Sequence, residues 1–385
     1  MHSIQIHKVI GLLISTFYLI GAWHRGDKPT FKEIRMKLFY CIYYFLFLVA
    51  SVGGIIKNEK KDDSIFLVEV SMGILIVWIN LSLAIWKQNE ILNFLNVVCV
   101  FSIRNGDDCL TYNAKLRGLI KFAFVFLISL AFASFSCVFS PLVGSEKILF
   151  IKIVFPLDYK NSEIAFWIAT AFLFTEFILT VTFSICTVLI WYLLLVCALR
   201  YEVLGGDLKN MGRVSSENGN VKMTQKQIHI KFLEDLKTSI KAHLHIKGLV
   251  EDVELFLSDL FFIQFGTSAL CICGAIYCVA FDVGETLLER YIYVFVVFYY
   301  ISHLYMITNY GNEIMLSSNR LSYCLFESDW YNQTQSTKKC VIIFGEYLKQ
   351  PQTIVIAKLY PLDLTTFTRI LNSAYSMFNI LKSFQ

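Results

Sequence analysis

The chain has 385 residues, of which 56% are hydrophobic and only 17% are charged, and its mean hydropathy is +0.58. This composition excludes an ordinary soluble globular protein, because so apolar a chain cannot keep its surface in water, and it indicates a protein that lies in a lipid bilayer. The formal net charge of +4 is too small to indicate a nucleic-acid partner.

Seven apolar runs are each long enough to cross a hydrocarbon core about 30 Å thick as a helix of about 20 residues. A barrel strand would alternate apolar and polar residues, and a run such as Phe39–Phe47 does not, so each run is expected to be helical. The sequence therefore predicts an all-α membrane protein with seven transmembrane helices, at residues 37–56, 64–86, 118–140, 163–197, 256–281, 290–310 and 364–384.

The basic residues are distributed unevenly between the two sides of the membrane. If the N-terminus, the 2–3 and 4–5 loops and the 6–7 stretch share one side, the opposite side holds only Lys57, Lys60, Lys61, Lys147, Lys152, Lys160, Arg290 and Lys382. Basic residues favour the cytoplasm. We therefore expect a cytoplasmic N-terminus and an extracellular C-terminus, which is the inverse of a G-protein-coupled receptor.

Residues 1–24 carry Lys8 ahead of the apolar stretch Ile10–Ala22, and this pattern fits two kinds of segment. One is a secretory signal, and the other is an amphipathic helix in the inner membrane interface. Cleavage would leave the basic loops on the wrong side of the membrane, so the second interpretation is favoured. Residues 1–35 are then a cytoplasmic segment with an interfacial helix.

The largest stretch outside the membrane is expected at residues 199–253, between residues 36–198 (helices 1 to 4) and residues 254–325 (helices 5 and 6). Its part from Gly205 to Asn220 is predicted to be a mobile loop. An inward helix is expected to follow, because apolar residues recur every four positions, at Ile228, Phe232, Leu236, Ile240 and Leu244. Residues 326–363 are predicted to hold an anchor helix, near 335–348, and a linker.

The last segment, residues 364–385, is predicted to be a membrane helix with one polar face. Ser373, Ser376, Asn379 and Ser383 recur at three- and four-residue spacing, which places them along one side of the helix. A polar strip of this kind suits the wall of a pore.

Polar and sulfur-bearing residues inside the spans give few candidate sites. Glu69 and Glu176 are costly in a membrane unless they are protonated, paired or in contact with water, so each is either a functional residue or a neutral, hydrogen-bonded carboxyl. His303 is more simply explained as a core histidine. Of the eleven cysteines, only Cys137 and Cys278 lie near the outer face, where a disulfide is conceivable. No metal site or cofactor is expected.

Three C-terminal stretches carry a resemblance to a known family. They are Ser328–Gln333 (Ser-Asp-Trp-Tyr-Asn-Gln), Tyr360–Phe367 (Tyr-Pro-Leu-Asp-Leu-Thr-Thr-Phe) and Ile370–Phe378, with a Gln-Pro turn at 350–351. Together they are specific, and from about Lys231 to its end the chain resembles the insect odorant receptors. The N-terminal half resembles them only in hydropathy and in the turn at 155–158.

The resemblance implies a subunit of a heterotetrameric, odorant-gated, non-selective cation channel, which acts in olfaction at the plasma membrane of olfactory sensory neurons. It implies a co-receptor as obligate partner, and the chain resembles a ligand-tuning subunit because the co-receptor has a longer 4–5 loop. By position, Ile380 and Phe384 are expected to form the hydrophobic constriction of the pore, which Ser376 and Ser383 accompany on the wetted face.

In the same family the odorant lies among helices 2, 3, 4 and 6, and a small volatile apolar ligand needs a closed and mostly hydrophobic cavity. Residues at the matching depth are the candidates to line it. These are Met72, Phe132, Phe135, Ser136, Phe139, Trp167, Thr170, Phe174, Phe295 and Phe298.

Two other receptor classes remain as alternatives. A G-protein-coupled receptor is disfavoured, because no Asp/Glu-Arg-Tyr triplet follows span three and no Asn-Pro-x-x-Tyr lies in the last span. A gustatory-type homomeric channel would share the topology, but its final helix is expected to carry Thr-Tyr and Gln-Phe, where this chain has Ala374-Tyr375 and Leu381-Lys382. No catalytic or nucleotide-binding motif indicates an enzyme.

Overall fold

The fold is known from a computed structural model, which describes residues 2–26, 28–57, 61–143, 149, 151, 153–159, 161–212, 224–283 and 287–383. For residues 2, 61–63, 65 and 138–143 it describes the backbone alone.

Helices make up most of the described chain, and the all-α prediction is confirmed. They are α1 (Lys8–Leu19), α2 (Phe31–Lys57), α3 (Lys61–Trp86), α4 (Gln88–Cys99), α5 (Gly106–Val143), α6 (Glu163–Phe183), α7 (Ile185–Lys209), α8 (Gln225–Ala280), α9 (Leu287–Phe326), α10 (Gln335–Tyr347) and α11 (Leu364–Ser383). Four short strands are β1 (His2–Ile4), β2 (Phe101–Ile103), β3 (Val355–Ile356) and β4 (Tyr360–Pro361).

Six helical stretches within the described ranges are long and apolar enough to cross a membrane: α2, α3, α5, α6 together with α7, α8, and α9. The seventh predicted span corresponds to α11, which is 20 residues long but carries more polar residues. Length and hydropathy therefore identify six of the seven spans, and α11 is the most polar of the set.

The fourth predicted span is two helices, because the helix is interrupted at Ser184. The Ser184 hydroxyl donates to the Thr180 carbonyl (2.8 Å), and the Thr187 N–H bonds to the Ser184 carbonyl three residues back (3.1 Å). Hydroxyls that bond back to the preceding turn tend to bend helices. The resulting break between α6 and α7 lies at membrane depth, beside the cavity described below.

The fifth predicted span and the predicted inward helix are one element. Helix α8 has 56 residues, which is about 84 Å at a rise of about 1.5 Å per residue. Helix α7 also extends beyond its span, to Lys209, so the prediction of a loop from Gly205 is wrong for its first residues. A Cβ at Gly206 would lie within 3 Å of the Asp108 carboxylate on α5, so the glycine permits a close approach of α5.

The core is built around α7, which packs along α9 and also contacts α8 and α5. Trp191, Tyr192 and Tyr201 of α7 are completely buried. The Trp191 ring contacts Phe126 of α5 (ring centroids 5.0 Å apart) and His303 of α9 (5.8 Å). Helix α7 therefore lies at the centre of the packing among the membrane helices.

The N-terminal segment is part of this core. Ile10, Ile14 and Phe17 of α1 are buried, and β1 pairs with β2 in an antiparallel ladder. The Trp23 indole N–H donates to the Ala84 carbonyl at the end of α3 (2.9 Å). Neither this pairing nor α4 is expected from the sequence, since short interfacial elements carry little hydropathy signal.

The start of α11 is fixed by its preceding turn. The Asp363 carboxylate accepts a hydrogen bond from the Thr366 N–H (2.7 Å), which is an N-cap interaction, and the Thr366 hydroxyl donates to the Pro361 carbonyl (2.6 Å). Leu362 lies directly against Gly311 of α9, where an added Cβ would come within 2.3 Å of the Leu362 carbonyl oxygen. The Tyr-Pro-Leu-Asp-Leu-Thr-Thr stretch thus has a structural role.

Helix α11 packs against α8 and α9 but is little covered by the chain. Only Thr366 and Ala374 are buried. Most of its surface is free to contact lipid, water or another subunit.

No cysteine of the described chain is in a disulfide, so the disulfide considered between Cys137 and Cys278 does not form. The two belong to different environments. Cys137 lies on the wall of the cavity, whereas Cys278 is buried in a small separate cluster with Phe66 and Tyr293.

Candidate functional site

A cavity of about 200 Å³ lies among the membrane helices, near the break between α6 and α7. Helices α3, α5, α6 and α9 contribute most of the wall, α7 and α8 contribute the rest, and Phe47 of α2 and Ile151 complete it. Its apolar lining includes Phe66, Val70, Ile74, Val77, Leu130, Ala133, Phe177, Phe183, Ile292, Phe295 and Val296. The predicted location of an odorant among helices 2, 3, 4 and 6 coincides with the main part of this wall.

A glycine of α3 and the α6–α7 break shape the wall of the cavity. A Cβ added at Gly73 of α3 would lie 2.8 Å from the Tyr300 hydroxyl of α9, so this glycine lets the Tyr300 ring reach α3. At the α6–α7 break the side chains of Ser184 and Thr187 face the cavity together with Thr180. The wall therefore combines large rings with a strip of small hydroxyl residues.

Polar groups on the wall are few, and several of them have no hydrogen-bond partner. Within the described chain this applies to both carboxylate oxygens of Glu69, to Oε2 of Glu176, to Oδ1 of Asn80 and to Oγ of Ser268. Glu176 Oε1 accepts one long bond from the Thr180 hydroxyl (3.3 Å). The neutral, hydrogen-bonded carboxyl considered from the sequence thus fits Glu176 in part and does not fit Glu69.

His303 is satisfied within the protein. The Gln264 amide nitrogen of α8 lies 2.9 Å from a ring nitrogen of His303, which accepts its hydrogen bond, and the ring stacks on Tyr299 (centroids 6.2 Å apart). His303 and Gln264 form one end of the cavity wall. This supports the interpretation of His303 as a core histidine.

Only some of the predicted ligand residues lie near the cavity. Phe295 lies on the cavity wall. Four others are more than half exposed and point away from it, namely Phe132, Phe135, Trp167 and Phe298. Met72, Ser136, Thr170 and Phe174 lie on the same helices but are not part of the wall, and the side chain of Phe139 lies outside the described residues.

This outcome has a simple physical reason. Hydropathy gives the depth of a residue along a span, but the direction of a side chain around the helix axis depends on neighbouring helices. Glu69 and Glu176 could be recognised because a carboxylate in an apolar span is costly. No comparable signal in the sequence marks Tyr299, Tyr300 or Phe66 as wall residues.

The predicted pore residues lie on the free surface of α11. Ser376, Ile380 and Ser383 are all exposed on the single chain, Ile380 by 58%, whereas Phe384 lies outside the described residues. The Ser376 hydroxyl donates to the Asn372 carbonyl (2.9 Å) and the Ser383 hydroxyl to the Ile380 carbonyl (2.7 Å). Both serines can therefore face either water or an apolar surface without an unsatisfied hydroxyl donor.

Comparison with known proteins now identifies the family. The model of the family described as "7tm Odorant receptor" matches residues 76–375, which is most of the chain. The chain belongs to the odorant receptor family.

Two insect relatives show how far the sequences of this family diverge. The present chain is 23% identical to "Odorant receptor Or2" of Anopheles gambiae over 45% of each chain. It is 25% identical to "Odorant receptor 46a, isoform A" of Drosophila melanogaster over 66% of this chain and 65% of that one. The matched part is less than half of the Anopheles relative and just under two thirds of the Drosophila relative.

The fold is shared with a solved structure. The insect olfactory receptor OR5 from Machilis hrabei superposes with a TM-score of 0.81 at 13% sequence identity, covering 97% of this odorant receptor and 96% of that chain. Its structure in complex with eugenol superposes with a TM-score of 0.79 at 14% identity, covering 98% of both chains. At such low identity the likeness establishes the fold.

Proposed function

We propose that this odorant receptor is the ligand-tuning subunit of an odorant-gated, non-selective cation channel, a heterotetramer formed with a co-receptor in the plasma membrane of olfactory sensory neurons. The observation that carries the proposal is the mostly apolar cavity inside the membrane helices, whose size fits a small volatile ligand. The eugenol complex of the Machilis receptor supports this assignment, because a receptor of the same fold binds a small odorant.

The orientation follows from the charges. With the basic loops in the cytoplasm, the N-terminus and the inward parts of α7, α8 and α9 are cytoplasmic, and α11 ends at the outer face. An epitope after Gln385 is expected to be labelled on intact cells, whereas one before Met1 is not. Labelling of the N-terminal epitope alone would contradict this orientation.

The pore is assigned to α11. Because Ser376 and Ile380 are four residues apart, they share a face of the helix, and this face is not covered by the described chain. In a tetramer, four such helices can surround a central axis. A narrow ring formed by Ile380 and Phe384 would block ions by excluding water until the ligand widens it.

Recording currents from cells that express the chain with and without a co-receptor tests the proposal. Odorant-evoked cation current is expected only with both subunits, and it should persist in excised patches without GTP. Current from this chain alone would instead indicate a homomeric channel. Current that decays as GTP is removed would favour a G-protein-coupled receptor.

Cysteine modification tests the pore assignment. A water-soluble thiol reagent applied from outside is expected to alter the current of Ile380→Cys channels. Phe378→Cys is the matched control, because Phe378 is half-buried and packs on Phe281 of the same chain (ring centroids 6.2 Å apart), so a thiol there should react less. Equal responses of both variants, or modification of the control alone, would contradict the assignment.

A further inference from the structure

The cavity has an unusual polar composition for a site that holds an apolar odorant. Glu69 and Glu176 come from two different helices, α3 and α6, and both are at least 95% buried. Each lies on the wall of the same cavity. Within the part of the chain that the structure describes, no lysine or arginine lies on that wall.

The unpartnered atoms are almost all hydrogen-bond acceptors. Glu69 contributes two oxygens, Glu176 contributes Oε2 and Asn80 contributes Oδ1. Three donors of the wall are engaged within the protein: the Thr180 hydroxyl bonds to Glu176, the Ser184 hydroxyl bonds to the α6 backbone, and the Gln264 amide bonds to His303. Among the fully buried, unpartnered side-chain atoms of this described wall, only Ser268 Oγ belongs to a hydroxyl.

Buried acceptors without donors are costly. An unsatisfied polar group costs about 1–3 kcal/mol, and more when it is charged. Two carboxylates at membrane depth add a further cost that is tolerated where they meet water, a partner or a ligand. A ligand that brings several hydrogen-bond donors, and preferably a positive charge, would relieve both costs.

We infer that the ligand class of this cavity is a small primary amine with an apolar body, whose amino group lies between Glu69 and Glu176. A primary ammonium group offers three N–H donors and a positive charge. An alcohol offers one donor, an ether or ester offers none, and a carboxylate would be repelled. The inference rests on the proposed function, since it names the ligand of the same site.

The apolar part of the wall suits the remainder of such a ligand. Phe66, Phe177, Phe183 and Phe295 surround the space with rings. Aromatic faces also attract ammonium groups, so they do not oppose an amine that approaches the carboxylates. A cavity of about 200 Å³ limits the body to a short alkyl chain or a single ring.

Direct binding to the purified full-length chain tests the inference. Calorimetric titration would compare hexylamine with 1-hexanol, methyl pentyl ether and hexanoate, which have bodies of similar size. Hexylamine is expected to bind about tenfold or more tightly than the ether, as hydrogen bonds to charged groups allow. Hexanoate is expected to bind most weakly.

Isosteric variants assign the effect to the two carboxylates. Glu69→Gln and Glu176→Gln should each weaken hexylamine binding about tenfold, while both variants should still bind the ether, which shows that the cavity is intact. Glu90→Gln is the matched control, because Glu90 is an exposed glutamate of α4, outside the cavity, that pairs with Lys87. Its affinity for hexylamine should equal that of the parent chain.

The inference is overturned if hexylamine does not bind, binds no more tightly than the ether, or keeps its affinity in both glutamine variants. Currents from the co-expressed channel separate this failure from failure of the proposed function. Activation by the neutral probes alone would overturn the amine assignment and leave the channel proposal standing. Tight hexylamine binding without current from any probe would support the amine site and contradict the channel proposal.

Discussion

Helices α7 and α11 are similar in length, 25 and 20 residues, but opposite in their surroundings. Of the 25 residues of α7, 19 are buried within the chain, whereas α11 buries only Thr366 and Ala374. Most of the surface of α7 is therefore covered by the fold, whereas most of the surface of α11 is not. The difference predicts that substitutions in α7 act on the stability of the single chain, whereas substitutions in α11 act on the assembly and conduction proposed above.

The largest expected effect is on α7. Trp191→Ala should destabilise the purified chain by about 3–5 kcal/mol, because it removes a completely buried ring from the contact with Phe126 and His303. Tyr375→Ala on α11 is the control, since Tyr375 is 61% exposed, and its effect should stay within about 0.5 kcal/mol. Thermal unfolding in detergent compares the two, and equal losses would remove the contrast between the helices.

A smaller effect is expected where α11 is fixed to the core. Gly311→Ala should cost about 1–3 kcal/mol, because the new methyl group must displace the Leu362 backbone. Gly248→Ala on α8 has no atom within 4 Å of the new Cβ and should instead stabilise the chain, by up to about 1 kcal/mol. Unfolding midpoints that shift in the same direction for both variants would argue against the Gly311–Leu362 contact.

A substitution on the exposed surface of α11 should weaken subunit assembly without lowering the stability of the single chain. Tyr375→Ala is expected to weaken co-purification with the co-receptor by about 1–2 kcal/mol, as loss of an interface tyrosine does. The measurement is the fraction of co-receptor retained on a tagged chain as the detergent complex is diluted. Unchanged retention would mean that this face of α11 contacts lipid.

The smallest effect is expected at the start of α11. Asp363→Ala removes the side-chain bond to the Thr366 N–H and should cost about 1 kcal/mol, whereas Asp363→Asn keeps an acceptor and should cost little. Unfolding midpoints of the three chains give the order. If the asparagine variant loses as much as the alanine variant, the cap is not the source of the effect.

Parts of the site were predictable to the extent that they carry a local signal. Glu69 and Glu176 were selected because charge in an apolar span is costly, and both lie on the cavity wall. The aromatic candidates were selected by depth, and among them Phe295 lies on the wall whereas Phe132 and Trp167 face outward. Depth is a property of the sequence, but the facing direction is set by packing.

The helices, too, were predictable where their signal is local in the sequence. Apolar spacing from Ile228 to Leu244 predicts the inward helix, because a four-residue repeat is local to the helix. The break at Ser184 has no signal in the sequence, since Thr170 and Thr175 also bond to the carbonyl four residues back and α6 is continuous there. The approach of Asp108 to Gly206 was also missed, because it joins residues far apart in the chain.

By itself the sequence determined the membrane environment, the helical class and the family resemblance, because hydropathy, helix length and local motifs do not depend on distant contacts. Only the tertiary structure decided which side chains meet in one cavity and which surface of α11 stays uncovered. Those features arise from the packing of helices that are remote in sequence. The presence of Glu69 and Glu176, 107 positions apart in the printed sequence, on the wall of one cavity is such a feature.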